Sequence, residues 1–242
     1  MSKILFLDIE TSPNRVFSWG LGKVYLRPEN IIEERKIICI SYKWAGEKKV
    51  TSINWGKNQN DKSLLQKISK VLLEADEIVA HNGDKFDLKW INGRLLYHNL
   101  SPLGPLTSSD TLKMSRKVFY LNSQKLNYLS QYMKLGKKAV TGGYSLWKNI
   151  VLNKCPKALK KMIKYCEQDV KLLEKVYNRI VKFSPNIKRK SKFPKVHAIC
   201  INCKSANLIK YGTYTSKIGK KYQKFMCHDC GTGFKSEIQL DD

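Results

Sequence analysis

The chain has 242 residues, with 45 Lys and Arg against 20 Asp and Glu, a formal net charge of +25 at pH 7. An excess that large favours a polyanionic partner bound largely without regard to sequence, with lysine-rich usage or solubility as the competing explanation. No run approaches the roughly 20 apolar residues of a membrane span, and those around Leu5 are too few for a signal peptide.

Residues 3–7 (KILFL) form a short apolar run that reads as a buried central strand. Asp8 and Glu10 follow at i and i+2, so they project from one face of an extended chain. Two carboxylates on one face repel each other unless cations sit between them. Hard divalent ions such as Mg²⁺ and Mn²⁺ favour such oxygen ligands. A polar strand end with solvated acids has the same local pattern. Residues 36–44 and 48–55 read as two strands joined at Ala45-Gly46-Glu47, a hairpin, and residues 61–74 as a helix.

Residues 77–80 read as a strand and 86–96 as a helix, with turn chemistry at Asn82-Gly83-Asp84 between them. Asp87 falls in the first helical turn, where the macrodipole alone would favour an acid. Asp84 is the competing acid, or the helix N-cap. Residues 135–150 carry Gly142-Gly143 with exposed-looking Lys137, Lys138 and Trp147. They read either as a substrate-gripping loop or as a long connection.

Across residues 158–183, Leu159, Met162, Ile163, Cys166, Val170, Leu173, Val176, Tyr177 and Ile180 recur at helical spacing. At about 100° per residue, Tyr165 and Asp169 lie side by side at one edge of that stripe, where an i, i+4 pair can reach into a cleft. A phenol packed beside the core and an exposed acid would give the same pattern. Cys166, on the stripe, is expected in the core. The order of elements suits an α/β domain in which helices pack on a mixed sheet.

In this order, Asp8-x-Glu10, Asn82 with Phe86-Asp87, and Tyr165-x3-Asp169 resemble the three motifs of the DEDD superfamily of 3′–5′ exonucleases, the DnaQ-like group with a ribonuclease-H-like fold. Lys164 stands five residues before Asp169, which excludes the histidine form of the third motif and leaves the tyrosine (DEDDy) form. The resemblance covers residues 1–183. It is closest to stand-alone exonucleases related to the proofreading domains of family B polymerases; Asp110-Thr111-Leu112 and residues 125–133 are similar to that group less specifically.

The resemblance implies removal of nucleotides from single-stranded or frayed 3′ ends by a two-metal mechanism, with single-stranded DNA ranked ahead of RNA although the sequence does not decide between the two sugars. One Mg²⁺ or Mn²⁺ would be held by Asp8, Glu10 and Asp169. A second would be held by Asp8 and, partly through water, Asp87, with the ions about 4 Å apart. Tyr165 would orient the attacking water; Asn82, Phe86, Lys137 and Lys138 would contact the strand. A structure-specific endonuclease on the same fold and a non-catalytic nucleic-acid-binding protein are the alternatives. Retention of every cage residue favours an active enzyme.

Residues 184–197 hold Pro185, Pro194 and a basic run, and read as a linker. Beyond it, residues 198–242 contain Cys200-x2-Cys203 and Cys227-x2-Cys230, two pairs spaced for one structural Zn²⁺. A segment this short has too little core to fold without a metal. Residues 207–214 and 221–226 read as strands joined by a turn at 217–220 containing Gly219, a zinc-ribbon pattern. Lys204 replaces the glycine often found after the first pair; Gly231 follows the second. Neither His197 nor His228 is expected as a ligand.

No Asp or Glu occurs between Glu174 and Asp229, which concentrates the positive charge here. Interleaved lysines and aromatics, among them Lys210, Tyr214, Lys221 and Tyr222, resemble zinc ribbons of transposases and other nucleic-acid proteins. Aromatics there could stack on bases while lysines track phosphates. The same aromatics could fill the small ribbon core, or the ribbon could dock a replication or repair protein. Seven cysteines, four of them in these pairs, suit a reducing compartment, the cytoplasm of a prokaryote or of a virus-infected cell.

Overall fold

The computed structural model describes residues 3–104, 106–139, 142–183, 199–200, 202–215 and 221–240, without the side chains of 221 and 236–240. The linker expected at 184–197 and the turn expected at 217–220 lie outside these residues. Strand β1 (Ile4–Thr11) is central. Strands β2 (Arg15–Val16) and β3 (Ile31–Glu33) form a small antiparallel pair. The expected hairpin is β4 (Ile37–Trp44) and β5 (Thr51–Asn54). Gly46 takes φ 82° at its turn, a conformation that disfavours other residues. Helix α1 (Lys62–Glu74), strand β6 (Glu77–Ala80), helix α2 (Asp87–Tyr97) and strand β7 (Ser108–Asp110) follow. Then come α3 (Thr111–Val118), α4 (Leu126–Tyr132), α5 (Tyr144–Val151) and α6 (Pro156–Ile180).

The main sheet has five strands in the order β5-β4-β1-β6-β7. It is mixed: β1 is antiparallel to β4 and parallel to β6, which is parallel to β7. With helices on it, this is the α/β architecture that the element order predicts. In the main domain β7 and the β2–β3 pair escaped the sequence reading, because three residues or fewer carry no usable periodicity, and helix α5 falls largely within residues 135–150, which read as a loop or a long connection.

The alternation of β1 places the site. Leu5, Leu7 and Ile9 enter a core with Leu64, Leu65, Ile68 and Leu72 of α1 and Ile91 and Leu95 of α2. Phe6 enters a second core with Val170, Leu173, Val176 and Tyr177 of α6. Since successive side chains on a strand point to opposite faces, Asp8 and Glu10 share the α6 face with Phe6. The Phe6 and Tyr177 rings meet edge to face, 5.5 Å between centroids, and anchor the helix along the strand. Pairing with β6 ends at Phe6↔Val79, so both acids project beyond the end of that pairing.

A buried polar node ties the other face together. Asp61, immediately before α1, is fully buried. It accepts from Arg94 Nε and Nη2 at 2.8 and 2.9 Å, from Ile37 N–H at 2.9 Å, and pairs with His98 Nε2 at 2.7 Å. Burial alone would raise the pKa of this carboxyl; the Arg94, Ile37 and His98 hydrogen bonds outweigh it and hold the value below normal.

The C-terminal unit is an antiparallel three-stranded sheet in the order β10-β9-β8, with β8 (Leu208–Thr215), β9 (Lys221–Cys227) and β10 (Gly233–Leu240). Strands β8 and β9 match the expected pair within one residue; β10 is additional. Cys200 Sγ lies 3.6 Å from Cys230 Sγ, and Cys203 Sγ lies 3.4 Å from Cys227 Sγ. All four sulfurs fall within 4.8 Å of one another, at the junction of two turns.

A candidate active site of clustered carboxylates

Carboxylate oxygens of Asp8, Glu10 and Asp169 lie within 4.8 Å of one another. The strand supplies the first two and α6 the third. Asp169 is 1% exposed, not the solvated acid that its helical position alone permits, because α6 lies flat against β1 and β4. Its Oδ1 is buried without a hydrogen-bond partner. Asp87 begins α2, is buried, and accepts from the Ile9 N–H at 3.1 Å.

Burial and, second, Asp169 push the Asp8 pKa up to about 7. Burial and, second, Asp8 push Glu10 up to about 8. Burial raises Asp169 as well, against the pull of Lys138. Asp87 is raised by burial and then by Asp8, so its charge and that of Asp8 oppose each other, although Asp87 is not among the acids whose oxygens lie within 4.8 Å of one another. Such crowding of hard oxygen donors, one of them an orphan, fits a divalent cation.

The turn between β6 and α2 is built to deliver Asp87. A Cβ on Gly83 would lie 2.3 Å from the Ala80 Cβ, so no larger residue fits. Asn82 takes φ 66° and donates its N–H to Asp110 Oδ1 at 2.9 Å. Phe86 leans into the core between α1 and α2 and contacts Trp90 edge to face. Asp84 is neither the N-cap, which is Phe86, nor part of the cluster. It pairs with Lys113 at 2.6 Å and accepts from Ser108. Asp110 caps α3, accepting from Leu112 and Lys113 N–H.

Tyr165 sits on the rim, half-buried, its phenol pushed up to about 12 by burial and then by Asp169. Lys138 is drawn in from the loop before α5. Its Nζ lies 2.8 Å from Asp169 Oδ2 and 5.2 Å from the Tyr165 ring centroid. Burial works against its charge, but Asp169 wins and holds its pKa above normal. Lys137 remains exposed. Trp147 is half-buried rather than exposed: its indole donates to Thr11 O at 3.0 Å and pins α5 to the end of β1.

Cys166 was legible only as a core residue. Its thiol also donates to Asp8 O and Oδ2, at 3.3 and 3.4 Å. Burial pushes its pKa well up, so it stays a protonated donor. His81 bonds Thr111 Oγ1 at 2.9 Å, and burial lowers its pKa to about 4. Its position in HNGD could have suggested a role; Cys166 has no sequence signal beyond following Tyr165.

A family model described as the RNase_H superfamily matches residues 5–181. The chain belongs to the RNase_H superfamily. Its sheet, with Asp8 and Glu10 on the central strand and Asp169 on the helix across it, is this superfamily domain. The family B DNA polymerase of the hyperthermophilic archaeon Pyrobaculum calidifontis has a similar fold, with TM-score 0.57 and 13% identity, over 75% of this chain and 25% of its own. The chain thus spans a quarter of that polymerase's length, and the likeness is one of fold. No curated protein matches the sequence.

In the C-terminal unit, Phe225 is buried and stacks on Phe234, 5.6 Å between centroids. Tyr214 and Tyr222 are half-buried, 6.3 Å apart, with Lys235 Nζ 3.3 Å from the Tyr214 centroid. Lys210 lies over Phe225. The side chain of Lys221 and all of His197 lie outside the described residues. His228 is buried, and its N–H donates to Asn207 O. No helix among the described residues is long and apolar enough to cross a membrane.

Proposed function

We propose that the chain is a nuclease of the DEDDy kind, removing nucleotides one at a time from the 3′ end of a nucleic-acid strand. The observation that carries this reading is the carboxylate cluster of Asp8, Glu10 and Asp169, with Asp87 hydrogen-bonded to the Ile9 N–H between the two strand acids and Tyr165 on the rim, in an RNase_H-superfamily domain. Asp8, Glu10, Asp169 and Asp87 would hold Mg²⁺ or Mn²⁺, which supplies positive charge beside the phosphate under attack. Tyr165 keeps its proton at neutral pH, so it serves as a donor that orients water and not as a base. Lys138 pairs with Asp169 at 2.8 Å; a cation taken up by Asp169 would free it for a phosphate oxygen of the terminal nucleotide. As the water oxygen bonds to phosphorus, the bond to the 3′ oxygen of the preceding nucleotide breaks. A nucleoside 5′-monophosphate leaves, and the strand keeps a 3′ hydroxyl.

In this reading residues 1–183 are the catalytic domain, and 198–242 a zinc ribbon joined by a basic linker. Four sulfurs within 4.8 Å of one another suit a closed tetrahedral Zn²⁺ site. The ribbon's lysines add to the charge that holds a strand near the cage. A replication or repair protein is a second partner for that unit.

The test uses 5′-labelled single-stranded DNA and RNA, with Mg²⁺, with Mn²⁺ and without divalent ion, comparing wild type with Asp8→Asn. A metal-dependent 3′ ladder lost in the variant is expected. Internal fragments would point to an endonuclease. No cleavage by folded, zinc-loaded protein would overturn the catalytic reading.

A further inference from the structure

Between β2 and β3 the chain leaves the domain as an arm that nothing among the described residues covers. Trp19 is 95% exposed, Leu21 101% and Tyr25 87%. The arm is nevertheless rooted. Phe17 N–H donates to Asn30 O at 2.8 Å, Asn30 Nδ2 donates to Phe17 O at 3.2 Å, and Arg27 N–H donates to Asn30 Oδ1 at 2.8 Å. Its stem continues from β1: Ser12 N–H donates to Lys36 O, and Arg15 pairs with Glu33. Phe17 is seven positions along the chain from Glu10, so the arm starts within about 25 Å of the cage.

We propose that this arm is a stacking platform for the single strand that feeds the carboxylate cage; the inference rests on the nuclease reading above. Large exposed apolar groups mark an interaction surface, and charge identifies the occupant. No Asp or Glu lies between Glu10 and Glu29, while Lys23 and Arg27 are exposed among the aromatics. Aromatic faces interleaved with cations are the chemistry that holds bases and phosphates without reading sequence. Phe17 meets Trp19 edge to face at 5.8 Å, and with that contact made Trp19 still stands almost wholly open to solvent.

The test pairs two readouts on the full zinc-loaded chain. Binding of fluorescein-labelled oligothymidylate is followed by anisotropy without Mg²⁺ or Mn²⁺. Hydrolysis of the p-nitrophenyl ester of thymidine 5′-monophosphate, a small diester with no strand to grip, is followed with Mn²⁺. Trp19→Ala and Tyr25→Ala are expected to weaken oligonucleotide binding about 5- to 100-fold each. Trp19→Phe is expected to retain most of it, with small-diester hydrolysis and Tm unchanged in all three. Unchanged oligonucleotide affinity in Trp19→Ala overturns the platform. Loss instead of phosphatidylserine-vesicle binding or of self-association reassigns the arm to a membrane or to a second copy. Strand binding that depends on Trp19, in a wild type that cleaves neither substrate, supports the platform and refutes the nuclease reading.

Discussion

Asp8→Asn should stabilise the metal-free protein at alkaline pH while abolishing its activity. Raising an acid from 3.8 to about 7 makes its ionisation cost about 4 kcal/mol more than in water. Asp8 is only partly buried and shares its protons with Glu10 and Asp169, so about 2 kcal/mol is the expected release. For a domain of this size that is a Tm rise of about 4–8 °C. The sign follows from proton binding. The folded chain keeps protons on Asp8 and Glu10 that the unfolded chain has released near pH 4, so their contribution is full below that pH. It is lost as pH climbs through about 7 and about 8. The wild type therefore weakens toward pH 8, and the variant less so.

The assay is calorimetry from pH 5 to pH 8 on protein dialysed free of Mg²⁺ and Mn²⁺ without chelator, so that the zinc proposed for the cysteine cluster is not stripped. Adding Mn²⁺ should raise the wild-type Tm and leave the variant nearly unmoved. An Asp8→Asn protein that melts lower than wild type at pH 8, or by an amount independent of pH, would refute this account of the cage.

Three further outcomes follow from the geometry. Arg94→Leu strands the buried Asp61 carboxylate and should cost about 3–5 kcal/mol in a urea titration, while the activity remaining per folded molecule is unchanged. Gly83→Ala forces a Cβ into Ala80 and should cost about 1–3 kcal/mol; because the shift falls on the turn carrying Asp87, kcat should drop well beyond the loss of folded protein. Cys200→Ser should release bound zinc, measured by mass spectrometry of the metal, and strip hydrogen-exchange protection from β8 to β10 while β1 and α6 keep theirs.

Much was legible from local pattern. The KILFL run, the hairpin, α1, α2 and the long stripe of α6 obey periods of 2 and 3.6 that read directly off the chain. Asp8 and Glu10 belong to one face for the same reason. The cysteine pairs announce themselves by spacing, and the fold brings all four sulfurs within 4.8 Å of one another.

What the pattern left open was which side each face met. Only packing decided that the Phe6–Asp8–Glu10 side of β1 turns to α6, bringing Asp169 within 4.8 Å of two acids far from it in sequence. Cys166 reaches Asp8 across a separation of 158 residues, and Ile9 N–H finds Asp87 across 78. Lys138 stands out in the sequence beside Lys137 as a strand contact, but its pairing with Asp169 emerges only once the loop is packed against α6. Periodicity reports the neighbours a residue has along its own helix or strand; charges and hydrogen bonds between elements depend on how those elements are set against one another, and only the tertiary structure decided that.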